Sequence, residues 1–146
     1  MEDIALMRSV LGPLERGESE DSQPLYDLFA EDIVYRTAHG DELRSKTALL
    51  DYFERVTDLL EVRPYDSPLQ YFGDGARVVV LGVEHYKVRK SGLTVSREWV
   101  WFLDFRDRRI SRILEVQELS GIVEIRREAF ARTAANFAES TGPAHP

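Results

Sequence analysis

Glu84 and Glu115 are the residues whose type and position best suit proton-transfer chemistry. Both lie in long segments of β-branched and aromatic residues that alternate with period two, as strands do. A carboxylate that is partly buried beside apolar rings can act as a general acid or base near neutral pH. We therefore interpret Glu115 as a candidate base, Arg97 as the group that orients and tunes it, and Glu84 as the second carboxylate of the same site.

The hairpins that join these segments predict which side chains share a face of the sheet. With residues 91–92 as a two-residue loop, Glu84 lies opposite Trp99. A three-residue loop at residues 106–108 places Glu115 opposite Trp99 as well, so the two glutamates lie two strands apart. The face that results mixes aromatic and charged residues: Gly82, Glu84, Tyr86, Arg97, Trp99, Trp101, Ile113, Glu115 and Gln117.

Two tryptophans in alternate positions beside charges favour a ligand-lined cavity over an ordinary core. We therefore predict that Trp99 and Trp101 line a ligand site, together with Tyr52, Ile113 and Gln117. The alternative for the charged residues is a structural ion network without turnover, because such networks also perturb pKa values.

The opposite face of the same strands is mostly aliphatic in its centre, and its residues are Leu81, Val83, Val100, Phe102, Leu114 and Val116. Left uncovered, it would form a sizeable apolar patch on a monomer. Helices are needed over the mixed face, so a second subunit is the natural cover. We expect a homodimer through Val100, Phe102, Leu114 and Val116.

Hydrophobic periodicity predicts helices early in the chain and at its end, with a meander of strands between them. Helices are expected at residues 4–14 (bent or interrupted at Gly12 and Pro13), at about 23–29, at 45–60, and from near Ser120 onward. Strands are expected at residues 33–37, 67–72, 77–89, 94–105 and 110–118. This order predicts an α+β domain, with helices on one face of an antiparallel sheet. We expect a single domain at residues 1–138 and a disordered tail at 139–146.

The amino-acid composition of the chain argues against several classes of function. The 146 residues include 19 Lys and Arg against 26 Asp and Glu, and the net charge of −7 opposes binding to nucleic acids or anionic membranes. There are no cysteines, the three histidines are scattered, and no glycine-rich phosphate loop occurs, so we expect neither a metal nor another cofactor. No apolar run approaches the roughly 20 residues of a membrane span. The first ten residues lack a basic signal-peptide start, so we expect a cytoplasmic protein.

Other charged residues favour ordinary surface roles. His39 follows the first strand, where a solvated loop position is more typical than a place at a pocket mouth. His85 points to the face opposite Glu84. Arg126 and Arg127 are interpreted as an exposed helix face.

The chain resembles the SnoaL-like part of the nuclear-transport-factor-2-like superfamily, which includes polyketide cyclases, ketosteroid isomerases and limonene-epoxide hydrolases. The resemblance spans residues 4–130 and is carried by four segments in a characteristic order and spacing. These segments are Leu-Phe-Ala-Glu-Asp-Ile-Val-Tyr at 28–35, Arg-Ser-Lys-Thr-Ala at 44–48, Trp-Val-Trp-Phe at 99–102, and Arg109-Ile110 followed by Glu115.

The resemblance implies a fold and a set of site residues. Members form a cone, in which a curved antiparallel sheet wraps a pocket that the N-terminal helices close (a cystatin-like α+β roll). Tyr35 and Thr37 are similar to the first-strand residues that touch substrate or water in the epoxide hydrolases, and Tyr35 could donate to a developing oxyanion. Glu84 and Glu115 match carboxylates of the middle and last strands. Gly82 stands where those hydrolases have an arginine.

These observations predict a pocket for a small, apolar or amphipathic molecule. The first hypothesis is a cofactor-independent acid/base enzyme of the isomerase, cyclase or hydrolase type, with Glu115, Arg97, Glu84 and Tyr35 in the catalytic roles. The alternative is a non-catalytic domain of the same fold that binds a small molecule or serves as a structural partner.

Overall fold

The computed structural model describes residues 2–16, 18, 21–63, 68–73 and 77–143. The helices within these residues are α1 Glu2–Glu15, α2 Gln23–Tyr26, α3 Lys46–Leu59 and α4 Val123–Asn136, followed by a 3-10 turn at Ala138–Ser140. The strands are β1 Phe29–Arg36, β2 Asp41–Leu43, β3 Leu60–Arg63, β4 Gln70–Gly73, β5 Arg77–Val88, β6 Thr94–Arg106, β7 Arg109–Gln117 and β8 Thr141–Pro143.

The strands form one curved sheet, and the expected α+β class is confirmed. The order across the sheet is β3-β5-β6-β7-β1-β2-β8, and β4 pairs with the first half of β5. The sheet is mixed rather than wholly antiparallel, because β1 runs parallel to β7. A hairpin imposes antiparallel pairing only on the strands it joins directly, and residues 37–108 separate β1 from β7.

Both long hairpins are offset by two residues from the predicted register. Glu84 lies opposite Arg97, and Glu115 lies opposite Trp101. The first loop spans residues 89–92 and is closed by Val88 and Leu93, whereas the second has only two residues, 107 and 108. An offset of two preserves the side to which every side chain points, so the predicted faces are retained while the opposite partners change.

The second hairpin has its own local explanation. Asp107 and Arg108 both have positive φ, as the central residues of a type I′ turn require. The ladder also shifts between Asp104 and Phe105, where a bulge absorbs one residue. The sequence carries no glycine at this turn, so its length could not be read from the usual signal.

Several boundaries differ from expectation. α2 ends at Tyr26, and β1 begins at Phe29, within the predicted second helix, rather than at Ile33. α1 continues through Pro13 to Glu15 rather than being interrupted. Pro13 lies in the last turn, where the missing N–H removes at most one helical hydrogen bond.

α4 begins at Val123, a few residues after the predicted start. α3 matches its prediction closely, because the Ser45 hydroxyl caps it by accepting from the Ala48 amide at 3.1 Å.

Short strands account for the remaining differences. β2 and β3 were not predicted, since segments of three or four residues carry little periodic signal. Residues 139–143, which we expected in a disordered tail, instead form part of the 3-10 turn and strand β8 against β2. Residues 144–146 of that tail lie outside the described residues, as does the start of the predicted strand 67–72.

The core lies between the concave face of the sheet and the helices. Fully buried side chains come from α1, α3 and α4 as well as from the strands, and they include Met7, Leu49, Tyr52, Ala129 and Ile113. The C-terminal helix therefore shares in covering the face that the N-terminal helices were expected to close. No helix in the described part of the chain is long and apolar enough to cross a membrane.

Candidate functional site

Glu115 sits at the centre of a buried hydrogen-bond network on the concave face. Only 6% of the residue is exposed. Its Oε2 accepts from the Tyr35 hydroxyl and from Trp101 Nε1 at 3.2 Å, and its Oε1 accepts from the Ala38 amide and from Arg126 Nη1, both at 3.3 Å. Four donors on one carboxylate compensate the cost of removing a charge from water.

Tyr35 reaches Glu115 from the neighbouring strand. β1 and β7 run parallel with Tyr35 beside Ile113, which places the tyrosine hydroxyl over the next inward residue of β7. Burial, reinforced by the charge of Glu115, raises the pKa of Tyr35 well above its usual range. The hydroxyl therefore keeps its proton at neutral pH and acts as a donor.

Arg126 is the cation of the network, and it comes from α4. Its Nη1 lies 3.3 Å from Glu115 Oε1 and 3.5 Å from the Tyr52 hydroxyl, while its Nη2 lies 2.9 Å from Gln117 Oε1 and 3.3 Å from the Tyr86 hydroxyl. Burial alone would disfavour the charged guanidinium, but Glu115 and the surrounding tyrosines keep the pKa of Arg126 well above its usual value. Arg126 is thus a fixed positive charge beside Glu115.

The structure does not bring Arg97 to Glu115. Arg97 Nε pairs with Glu118 at 2.9 Å, and its Nη1 and Nη2 donate to the backbone oxygens of Ser96 and Ser120 at 2.8 and 2.5 Å. The prediction that Arg97 orients Glu115 is therefore wrong on position. The two-residue offset of the β6–β7 hairpin places Trp101 rather than Trp99 opposite Glu115, which moves Arg97 further along β6 from Glu115, and the Arg97 side chain turns to the loop after β7.

Glu84 joins the network through Tyr86 rather than directly. The Tyr86 hydroxyl donates to Glu84 and accepts from Gln117 Nε2 at 3.0 Å and from Arg126 Nη2. Burial first, and then the neighbouring Glu84, raises the pKa of Tyr86 well above its usual range. The guanidinium therefore lies between two tyrosine–glutamate pairs, Tyr35 with Glu115 and Tyr86 with Glu84.

His39 is buried rather than solvated. Its side chain is 1% exposed, and its Nδ1 lies 2.9 Å from Asp41 Oδ2 and 3.1 Å from Thr37 Oγ1. Its Nε2 lies 3.3 Å from the Tyr52 hydroxyl. The loop position is as expected, but the loop folds back under α4, where Phe130 packs against the imidazole ring at 5.6 Å.

The predicted ligand-lining residues divide into two groups. Trp101, Gln117 and Tyr52 bond within the network described above. Trp99 and Ile113 instead contribute packing: Ile113 is fully buried, and the Trp99 indole meets Trp101 edge to face with centroids 5.6 Å apart. The remaining predicted residue, Thr37, contacts Asp41 and His39 rather than Glu115.

The packing of Trp99 explains why position 82 is a glycine. A Cβ at this position would lie 2.5 Å from Leu69 Cδ2 and 2.9 Å from Trp99 Cζ2. The indole therefore lies directly over the Gly82 backbone and occupies the room that an arginine would need. Trp99 Nε1 is buried and has no hydrogen-bond partner among the described residues.

A cavity of about 400 Å³ lies outside the network, lined by Asp27, Phe29, Glu31, Lys46 and Arg109. Phe29 connects it to the site through a series of aromatic rings: Phe29 lies 6.3 Å from Phe53, and Phe53 stacks on Trp101 at 6.4 Å. Within the described residues, no group of three or more histidine, aspartate or glutamate side chains could hold a metal ion.

The arrangement can bind and move protons. Glu115 can accept one, Tyr35 and Tyr86 hold hydroxyl hydrogens, and Arg126 stabilises negative charge without giving up a proton. Reasoning from the sequence missed Arg126 and Tyr86 as members of the site. For Arg126 the sequence holds only a partial signal: it recurs at helical spacing with Ile122, Ala129 and Thr133, which are buried, but this spacing does not reveal its partner Glu115.

Comparison with known proteins places this geometry in a family. The model of the SnoaL-like domain matches residues 14–113, which is more than half of the chain. No curated protein matches the sequence.

Solved structures share the fold at low sequence identity. A candidate polyketide cyclase from Xanthomonas campestris is 19% identical, with a TM-score of 0.70 over 85% of this chain and 96% of its own. A nuclear-transport-factor-2-like protein from Burkholderia xenovorans is 22% identical, with a TM-score of 0.64 over 90% and 95%. TerC, co-crystallised with polyporic acid, is 15% identical, with a TM-score of 0.68 over 87% and 99%.

Proposed function

The chain belongs to the SnoaL-like domain family, and on that premise we propose that it is a cofactor-independent enzyme that performs acid/base chemistry on a small, partly apolar molecule. Glu115 is the base, and Tyr35 and Arg126 stabilise the charge that develops on the ligand. Glu84 holds the Tyr86 hydroxyl, which contacts Arg126 on the side away from Glu115. The reaction is of the isomerase, cyclase or hydrolase type.

The observation that carries the proposal is the pairing of a buried carboxylate with a buried cation that cannot titrate. When Glu115 takes a proton from the ligand or from a water, its negative charge moves to the reacting oxygen. Arg126 remains beside that charge throughout, so its stabilising field passes from Glu115 to the ligand. Tyr35 can then turn its hydroxyl hydrogen from Glu115 Oε2 to the new oxyanion.

The aromatic rings beside Glu115 support the choice of an apolar ligand. Trp101 and Phe53 are only partly buried, and they separate the carboxylate from the cavity at Phe29. A planar ring that replaces Phe53 against Trp101 would stack at the same spacing and bring its polar edge to Glu115. We propose this side of α3 as the access route.

The relatives are consistent with such a ligand. One structural neighbour is a candidate polyketide cyclase, and TerC was crystallised with polyporic acid. These neighbours share the fold with this chain, and we use them only to choose compounds for the first screen.

A second candidate is a domain that binds a small molecule, or a partner, without turnover. It is favoured by one observation: both oxygens of Glu115 already accept two hydrogen bonds each. A carboxylate that is satisfied in this way resembles a structural ion network, and its purpose would be to hold α4 against the sheet.

The two candidates separate in a conversion screen. The wild-type protein, Glu115→Gln and Glu98→Gln would each be incubated with steroid enones, terpene epoxides, aromatic polyketide intermediates and polyporic acid, with products read by mass spectrometry. Glu98 lies exposed on the opposite face and is the matched control. We expect conversion by the wild type and by Glu98→Gln, with a loss of about 10²–10⁴-fold in Glu115→Gln.

Thermal shifts measured with the same compounds complete the test. Equal conversion by the wild type and Glu115→Gln would exclude Glu115 as the base. Stabilisation by a compound without conversion by any variant would instead support the binding domain.

A further inference from the structure

The loop between β1 and β2 carries a buried chain of hydrogen bonds that the proposed chemistry does not use. It runs from Asp41 Oδ2 to His39 Nδ1 at 2.9 Å, from His39 Nε2 to the Tyr52 hydroxyl at 3.3 Å, and from Tyr52 to Arg126 Nη1 at 3.5 Å. The Asp41 side chain is about one third exposed, whereas the His39 side chain is 1% exposed and Tyr52 is fully buried. The chain therefore links the protein surface to the guanidinium that holds Glu115.

The chemistry of each group fixes the direction of every bond. A carboxylate only accepts, and the Thr37 hydroxyl beside Nδ1 donates to the Asp41 backbone oxygen at 3.0 Å, so His39 Nδ1 carries the hydrogen that the Asp41 carboxylate receives. Burial lowers the pKa of His39, although Asp41 opposes that effect, so the ring is neutral at neutral pH and Nε2 is an acceptor. Tyr52 must then donate to Nε2, and its oxygen is left to accept from Arg126, which only donates.

We propose that Asp41, His39 and Tyr52 form a positioning relay that turns the Tyr52 oxygen toward Arg126 and thereby holds the guanidinium on Glu115. The role of the relay rests on the proposed function, because a base needs a fixed neighbouring charge and Glu115 is the proposed base. His39 is a positioning residue, because it acts on Glu115 only through Tyr52 and Arg126.

The hydrogen bonds of the relay change when His39 is protonated. The titratable and charged groups around His39 are Asp41 at the start of β2, Tyr52 from α3, Arg126 from α4 and Glu115 from β7. Protonation places a hydrogen on Nε2, so Tyr52 must accept there and point its own hydrogen elsewhere. Arg126 then shares the Tyr52 oxygen with a second donor and gains a nearby positive charge, which weakens its hold on Glu115 as the pH falls through the lowered pKa of His39.

NMR of the full-length chain tests the relay without any ligand. In ¹⁵N-labelled protein at pH 7, we expect His39 as the neutral tautomer with hydrogen on Nδ1. The ¹³C shift of the Glu115 carboxyl carbon should show an inflection at the pH where His39 titrates. That inflection should be absent in His39→Gln and unchanged in His85→Gln, which alters a histidine on the opposite face.

Two results would overturn the relay: a His39 hydrogen on Nε2, or a Glu115 carboxyl shift that ignores the titration of His39. If His39→Gln fails to fold, Asp41→Asn provides a second variant. It removes the group that holds the His39 pKa up, so the His39 titration should move to lower pH. A titration that stays in place or rises would contradict the assigned bonds.

Kinetic measurements then distinguish a failure of the relay from a failure of the proposed function. With a compound that the wild type converts, His39→Gln should lower kcat by about tenfold with little change in KM, which is the upper end of what one neutral hydrogen bond contributes. The inflection that the wild-type pH profile shows where His39 titrates should also disappear. An inflection at that pH that persists in His39→Gln would refute the relay while leaving Glu115 as the base. If no compound is converted, the proposed function fails, and the NMR titration still decides the relay.

Discussion

At two neighbouring positions, the faces of strand β7 reverse the usual distribution of charge and exposure. Glu115 and Val116 are neighbours in the chain, yet the glutamate is 6% exposed and the valine is 51% exposed. The concave face buries Glu115 and Gln117 beneath the helices. The convex face aligns two apolar rows across the same strands, Val79-Phe102-Leu114 and Leu81-Val100-Val116.

This reversal indicates that the two faces follow different constraints. Charges are costly in the interior, so the concave face retains them only because four donors, Arg126 among them, compensate Glu115. The apolar rows of the convex face are partly exposed, Val116 most of all, which is explained best by a partner surface. We propose that a second copy of the chain covers the convex face, since a two-fold axis would pair each apolar row with another.

The largest expected effect comes from breaking the concave network. Arg126→Met leaves the charge of Glu115 buried without its cation, so we expect the free energy of unfolding to fall by roughly 3–5 kcal/mol. Arg127→Met, next to it on the exposed side of α4, should change stability by less than about 0.5 kcal/mol. Urea denaturation of both variants measures the difference. Similar small losses in both would mean that the network contributes little.

A smaller loss is expected where the concave face is tightly packed. Gly82→Ala places a methyl group against Leu69 and the Trp99 ring, so we expect destabilisation of about 1–3 kcal/mol. Gly142→Ala in β8 meets no atom within 4 Å and serves as the control. Calorimetric melting of the two variants provides the comparison. An unchanged melting temperature for Gly82→Ala would show that the indole can move aside.

Substitutions on the convex face should change the association of the chains rather than their folding. Val100→Glu combined with Phe102→Glu places two charges in the apolar rows, and we expect a homodimer to become a folded monomer in sedimentation velocity. The control pair, Lys90→Glu and Ser91→Glu, lies in the exposed hairpin loop and should leave the dimer intact. A sedimentation profile that the first pair does not change would exclude this face as the interface.

The sequence predicted these faces but not the contacts between their residues. Side-chain direction alternates with period two, so an offset of two residues in each hairpin left Glu84, Trp99 and Glu115 on the concave face. The partner of Glu115 was misassigned to Arg97 because pairing depends on loop length. The two-residue turn at Asp107 and Arg108 with its nearby bulge has no distinctive sequence signal.

The missed site residues share a physical cause. Arg126 and His39 are ordinarily exposed residue types, and a single sequence does not show that α4 packs over the β1–β2 loop. Their burial depends on partners that are distant in the chain: Glu115 for Arg126, and Tyr52 for His39. Long-range pairing of this kind follows from the packing of the elements rather than from local pattern.

Transfer of label from solvent tests most directly whether Glu115 moves a proton. The wild type, Glu115→Gln and Glu98→Gln would be incubated with the panel compounds in ²H₂O containing H₂¹⁸O, and mass spectrometry would follow deuterium and ¹⁸O in the recovered compounds. If Glu115 is the base, the wild type and Glu98→Gln incorporate one of the labels into a compound and Glu115→Gln does not. Equal incorporation by the wild type and Glu115→Gln, or none by the wild type across the panel, would contradict the proposed chemistry.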